Sequence, residues 1–184
     1  MIFTFNSRGM NQGEWDNIIK AVGAEHVEIY DKKHRWFLQD FWPERIQELV
    51  AKHGSPKLVL GSSQGGWAGL YYQSIIKAQT VLAFNPQVTT IPEEMEAMNT
   101  EKNIKWGRRI RGAELKAGQL PVFDNGLWRP VVYFGKNHND VDHRKLAIAK
   151  GYPIIDVDCD DHNLPGWYHQ QGKLVDLIKN LYNA

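Results

Sequence analysis

The sequence predicts an α/β protein: a three-layer, doubly wound parallel sheet of about six strands with helices on both faces. Three observations carry this. Short β-rich runs alternate with helical stretches along the whole chain. The strand candidates around Leu58-Val59-Leu60, Val81-Leu82-Ala83-Phe84 and Val131-Val132-Tyr133-Phe134 are continuously apolar, as strands covered on both faces must be. No internal repeat, low-complexity tract or linker divides the 184 residues, so one domain spanning 1–184 is expected.

Taken in order, Ile2 to Phe5 is the first strand, and Glu14 to Val22 a helix with Trp15, Ile18, Ile19 and Val22 on one face. Val27 to Tyr30 is the second strand. Phe41 to His53 is a helix with Pro43 in its first turn and Gly54 just past its end. Lys57 to Gly61 is the third strand, Gly65 to Lys77 the next helix, and Thr80 to Phe84 the fourth strand. Pro92 to Glu101 reads as helix and Lys102 to Arg129 as irregular, the two lying within a lid-like insertion at about 88–129. Val131 to Phe134, Val141 to Lys150, Tyr152 to Val157 and Leu174 to Tyr182 close the chain as strand, helix, strand and helix.

Composition excludes several classes of function. A net charge of +1 gives no global attraction to nucleic acid or to an anionic membrane, and neither is expected as a partner. The opening Met1-Ile2-Phe3-Thr4-Phe5-Asn6 is too short an apolar run for a leader or anchor, and no stretch reaches spanning length. A lone Cys159 forms no internal disulfide and suits a reducing compartment, so a cytoplasmic location is expected.

The densest chemical signal is Gly61-Ser62-Ser63-Gln64-Gly65-Gly66, a G-x-S-x-G sequence between a predicted strand and a predicted helix. Such a turn lifts a serine hydroxyl above the sheet and is too tight for side chains at its flanks, hence the glycines. A serine nucleophile needs a base to take its proton and an acid to orient that base. The loop after the fifth strand, Gly135 to His143, offers Asp140 and Asp142, and the loop after the sixth, Asp158 to Asn163, offers His162. Both loops fall at the carboxyl ends of their strands, on the same edge as Ser63, where open α/β sheets place their sites. Asp140 is preferred to Asp142 because it precedes its helix, whereas Asp142 sits within the first helical turn, where a carboxylate suits the dipole. His138, His143 and His169 are the competing bases. The acid and histidine runs 138–143 and 156–162 also have the residue types of a metal site, but they lack the spacing of known zinc motifs, so no metal is expected.

In this chain order of serine, acid and histidine the sequence resembles the α/β-hydrolase superfamily over nearly its full length. Gly61-Ser62-Ser63-Gln64-Gly65-Gly66-Trp67-Ala68, Leu82 to Gln87, and Asp31 with Arg35-Trp36-Phe37 are most similar to small hydrolase-like proteins found with bacterial surface-polysaccharide genes. The resemblance implies a minimal hydrolase fold lacking the two usual N-terminal strands, with strands in the spatial order second, first, third, fourth, fifth, sixth. It implies that Ser63 attacks a carbonyl carbon, that His162 moves the proton, and that the Gln64 amide holds the oxyanion. The usual His-Gly pair is replaced by Asn6-Ser7, which leaves the Ser7 or Arg8 amide as the second oxyanion donor.

Lys102, Lys105, Arg108, Arg109, Arg111 and Lys116 form a basic patch in the insertion, either a solvated surface or a lid that meets an anionic substrate. Trp36, Trp106, Trp128 and Trp167 read as loop aromatics; Trp36, Trp106 and Arg108 are the substrate-contact candidates. The expected activity is hydrolysis of a small-molecule or glycan-linked ester or thioester through an acyl-enzyme, by a monomer or homodimer. No organic cofactor is expected, because no G-x-G-x-x-G or P-loop is present. The competing readings are a non-catalytic binding or scaffold protein of the same fold, and an acyltransferase using the same three residues.

Overall fold

The computed structural model describes residues 1–7, 10, 12–113, 115, 117–123 and 128–184. Six parallel strands make one open sheet: β1 (Ile2–Phe5), β2 (His26–Ile29), β3 (Leu58–Ser62), β4 (Thr80–Phe84), β5 (Arg129–Phe134) and β6 (Ile154–Asp156). Their spatial order is β2-β1-β3-β4-β5-β6, the order that the superfamily resemblance implies. The register pairs Phe5 with Gly61 and Ser62 with Phe84, which brings the ends of β1, β3 and β4 together.

Because successive side chains point to opposite faces, each apolar strand feeds two cores. Phe3, Phe5, Val59, Val81, Ala83, Val132 and Phe134 pack on one face with α2 (Trp42–His53), α3 (Gln64–Tyr71) and α4 (Gln73–Ile76). Ile2, Leu58, Leu60, Leu82, Phe84, Val131 and Tyr133 pack on the other, against Trp15 and Ile19 from α1 (Asp16–Val22) and its approach, and Leu174 and Ile178 of the last helix. All of these side chains are buried, so no strand could shift by one residue without exposing one core to the other's partners.

Three sequence expectations are corrected. The helix expected over 65–77 breaks at Tyr72 into α3 and α4; the Tyr72 hydroxyl donates to the Phe37 carbonyl at 2.6 Å, holding the break against the loop after β2. The stretch from Lys102, expected to be irregular, begins as a helix. After α5 (Pro92–Ala97), Thr100 caps α6 (Glu101–Gly112) by accepting a bond from the Asn103 amide. Its inward stripe of Asn103, Trp106, Gly107 and Ile110 contains one polar residue and one glycine, which hid the helical period. Trp106 is therefore helical rather than in a loop.

After α7 (Val141–Ala149), α8 (Leu164–Gln170) precedes α9 (Leu174–Asn183) and was also unexpected. It is seven residues long, capped by Asn163 accepting from Gly166, with a proline in its first turn, and it carries Trp167. Among the described residues no helix is long and apolar enough to cross a membrane.

Candidate active site

Ser63 occupies the turn between β3 and α3 with φ 53° and ψ −118°, a conformation that L-residues adopt only under constraint. The constraint is visible in the bonds around it. Its amide donates to the Phe84 carbonyl at 2.9 Å, and its carbonyl accepts from the Trp67 amide at 3.0 Å. A Cβ on Gly61 would collide with the Gly65 carbonyl, and one on Gly65 with the Phe5 carbonyl. The glycines thus let the first turn of α3 press onto the ends of β1 and β3. The Gln64 amide opens that helix and has no intrahelical acceptor of its own, as befits an oxyanion donor.

The loop after β6 brings His162 to the same edge, and its Nδ1 lies 2.8 and 2.9 Å from the two carboxylate oxygens of Asp140. Asp140 is 3% exposed and immediately precedes α7. With Nδ1–H donated to this buried carboxylate, Nε2 is left as the basic nitrogen. Asp142 is elsewhere: it pairs with Lys145 at 2.9 Å on the surface. His143 is buried, its Nδ1 accepts from the Val88 amide at 3.2 Å, and burial pushes its pKa down to about 4. It is a neutral packing group. His138 and His169 are exposed side chains outside the cleft.

Two asparagines not singled out as site residues position this pair. Asn85, at the end of β4 with φ 40°, donates from Nδ2 to the His162 carbonyl at 2.9 Å and accepts from the Gly135 amide at 2.8 Å. It ties the histidine loop to the ends of β4 and β5. Asn103 of α6 donates to the Asn139 carbonyl at 3.1 Å, beside Asp140. The sequence signal for Asn85 is an amide between an apolar strand and a proline; Asn103 gives none.

Ser63 and His162 line one cleft of about 430 Å³. Ser62 and Asn163 line it beside them; Ser7, Met10, Glu14 and His34 come from the loops after β1 and β2, and Lys102, Trp106 and Arg109 from α6. These three recur along one helical face, and the Lys102 ammonium lies 4.5 Å from the Trp106 ring centre.

The substrate-contact candidates separate here. Trp106 lines the cleft. Trp36 does not: it is fully buried, donates its indole N–H to Gln87 at 2.6 Å and packs edge-on behind Trp106. Arg108 does not either; it lies with Glu101, Ile104 and Lys105 on another face of α6, and its neighbour Arg109 takes the cleft position. Arg111 ties α6 to α5 through Glu93 at 3.0 Å and Glu96 at 2.7 Å. Lys116 lies outside the described residues.

Of the two amides expected as second oxyanion donor, Arg8 lies outside the described residues. The Ser7 amide is already engaged, donating to Glu14 Oε2 at 2.6 Å. Burial holds the Glu14 carboxyl above its usual range, against the opposing effect of the Ser7 bond.

A larger cavity of about 800 Å³, lined by Leu70, Tyr71, Trp128 and Tyr152 among others, lies where the chain enters β4, β5 and β6. None of Ser63, Asp140 and His162 lines it. Among the described residues no group of three or more His, Cys, Asp or Glu side chains could hold a metal ion.

No family model matches the sequence, and no curated protein matches it. Solved structures do. A protein from Xanthomonas campestris pv. campestris, described as a hydrolase of the alpha/beta superfamily, aligns at a TM-score of 0.60 and 14% identity, over 97% of this chain and 96% of that one. The chain has the α/β-hydrolase fold. A second α/β-hydrolase-fold neighbour is the NocB thioesterase domain, solved as a covalent complex with a fluorophosphonate nocardicin G analog (TM-score 0.62, 12% identity, 100% of this chain, 94% of that one). A third is the capsule O-acetyltransferase of Neisseria meningitidis serogroup A (TM-score 0.61, 10% identity, 100% of this chain, 87% of that one). The α/β-hydrolase fold thus carries both hydrolases and an acyltransferase among these neighbours.

Proposed function

We propose that the chain is a serine hydrolase that cleaves a small-molecule or glycan-linked ester or thioester through an acyl-enzyme on Ser63. The observation that carries this reading is the shared cleft: a serine held at φ 53° and a histidine bonded to a buried aspartate line the same 430 Å³ space. A serine at a strained turn costs stability, and that cost is explained when the hydroxyl must be held toward a reacting carbonyl.

Ser63 Oγ attacks the acyl carbon while His162 Nε2 accepts its proton, and Asp140 stabilises the imidazolium that forms. The Gln64 amide donates to the developing oxyanion. The C–O or C–S bond breaks as His162 returns the proton to the leaving alcohol or thiol. Water, activated by the same histidine, then releases the acid and restores Ser63.

An alcohol in place of water would make the protein an acyltransferase, and the likeness to a capsule O-acetyltransferase favours testing that second reading. Lys102 and Arg109 at the cleft support an anionic group on the substrate.

A panel of p-nitrophenyl and thioester substrates, assayed with and without sugar alcohols, tests these readings. Hydrolysis that depends on Ser63 supports the first, and acylated sugar as main product the second. On the same panel, Lys102→Ala with Arg109→Ala is expected to lower kcat/KM for an anionic ester such as a hemisuccinate by roughly tenfold. Neutral esters should change by less than about threefold, and the difference should shrink in high salt.

A further inference from the structure

The loop after β1 should supply the second oxyanion donor, yet its described amide at Ser7 is not open to a substrate. The geometry points to the Ser7 amide as the second oxyanion donor and to Glu14 as a rate-determining residue that occupies it and must withdraw before an acyl oxygen can enter. This inference rests on the reading of Ser63 as nucleophile.

Four observations support it. Glu14 Oε2 accepts from the Ser7 amide at 2.6 Å, a charge-assisted contact of the kind an oxyanion itself would make. Glu14 and Ser7 line the same cleft as Ser63 and His162, so the carboxylate competes with substrate in the reactive space rather than behind it. Ser7 is tied to the nucleophile's strand, its Oγ donating to the Ser62 carbonyl at 3.3 Å, which fixes the amide near the elbow. The chain next to Glu14 is also anchored, since the Gly13 amide donates to Glu28 Oε1 of β2 at 2.7 Å. The Glu14 side chain can therefore move while its backbone stays.

A carboxylate on a donor does two things to an acyl transition state. It consumes the hydrogen bond, and its charge repels the oxyanion that the Gln64 amide is meant to stabilise. Neutral Glu14 would do only the first, and weakly. The groups that set its charge are the Ser7 amide and hydroxyl and Glu28 of β2, with His34, Lys102, Arg109 and His162 facing the same cleft and the Asp16 carboxylate beside Gly13. Burial, the largest influence, raises the Glu14 pKa, so the competing charge is lost at a higher pH than for an exposed glutamate.

The test is the rate of phosphonylation of Ser63 by a fluorophosphonate, whose P=O oxygen seeks the same donors, for the full chain and for Glu14→Ala and Glu14→Gln. Glu14→Ala is expected to react roughly tenfold to a hundredfold faster than wild type at neutral pH, with Glu14→Gln between them. The Gln-to-wild-type ratio should fall toward one as pH drops through the Glu14 titration, because wild type is then neutral as well. A structural role alone would slow both variants.

Two folded variants that react at or below the wild-type rate, while wild type itself labels at Ser63, overturn the inference and leave the nucleophile reading intact. An unlabelled wild type with a labelled Glu14→Ala supports it in its strongest form. If none of the three proteins labels, the nucleophile reading fails and takes the inference with it. The contact has its own readout: the Ser7 amide proton should shift with Glu14 titration in wild type and not in Glu14→Gln. No shift in wild type counts against the inference.

Discussion

Ser63→Gly is expected to abolish turnover while making the protein more stable. The serine sits at φ 53° and ψ −118° and is 6% exposed, so its side chain is paid for in backbone strain of about 1–3 kcal/mol. Glycine has no such strain at positive φ, and its greater freedom in the unfolded chain offsets part of the gain. The net expected effect is about +1 kcal/mol, seen as a rise of roughly 2–4 °C in Tm for a chain of this length. Ser63→Ala keeps the strain and should melt within about 1 kcal/mol of wild type. Both variants should lose ester turnover by on the order of 10⁴-fold or more, since the other described cleft hydroxyls, on Ser7 and Ser62, do not stand at the turn between β3 and α3. Thermal melts and steady-state assays on the three proteins separate the effects. A Ser63→Gly protein that is less stable than wild type would show that the elbow is not strained.

The second large effect distinguishes the two acids. Asp140→Asn is expected to lower kcat/KM by about 10³–10⁴-fold, because an amide facing His162 Nδ1 no longer selects the tautomer that leaves Nε2 basic, nor stabilises the imidazolium. Asp142→Asn should change it by less than about threefold, since it removes only a surface pair with Lys145. Asp140 is buried while its partner is partly exposed, so melting curves must accompany the kinetics. Equal losses in the two variants would mean that the loop after β5 is merely destabilised.

The two acids also show what the sequence carried. The order of serine, acid and histidine, and their places after β3, β5 and β6, could be read from apolar runs and loop residues alone. The strand order did not come from those runs: it followed from the resemblance to the α/β-hydrolase superfamily, and the sheet has that order. The preference for Asp140 over Asp142 followed from their positions relative to α7, and the structure brings Asp140 to His162.

What stayed hidden depended on contacts made across the fold. The period of α6 is broken by Asn103 and Gly107, which face inward because one bonds the Asn139 carbonyl and the other lies against the Pro92 carbonyl. Without that helix, neighbouring arginines cannot be assigned to faces, and Arg108 was preferred where Arg109 reaches the cleft. Trp36 is a comparable case: its indole bonds Gln87, far along the chain, and so it backs the cleft instead of lining it. Glu14 carried no signal at all. Its meaning comes from a single bond to Ser7, across a loop whose shape no local pattern dictates.

The central claim is that Ser63 is an activated nucleophile, and intact-mass analysis after fluorophosphonate treatment tests it most directly. One adduct is expected on the wild-type chain, none on Ser63→Ala, and one that forms at least about 10³-fold more slowly on His162→Ala. An adduct that persists in Ser63→Ala, or a folded wild-type chain that takes none alongside an equally unreactive Glu14→Ala, would contradict the account and favour a binding protein built on a hydrolase fold.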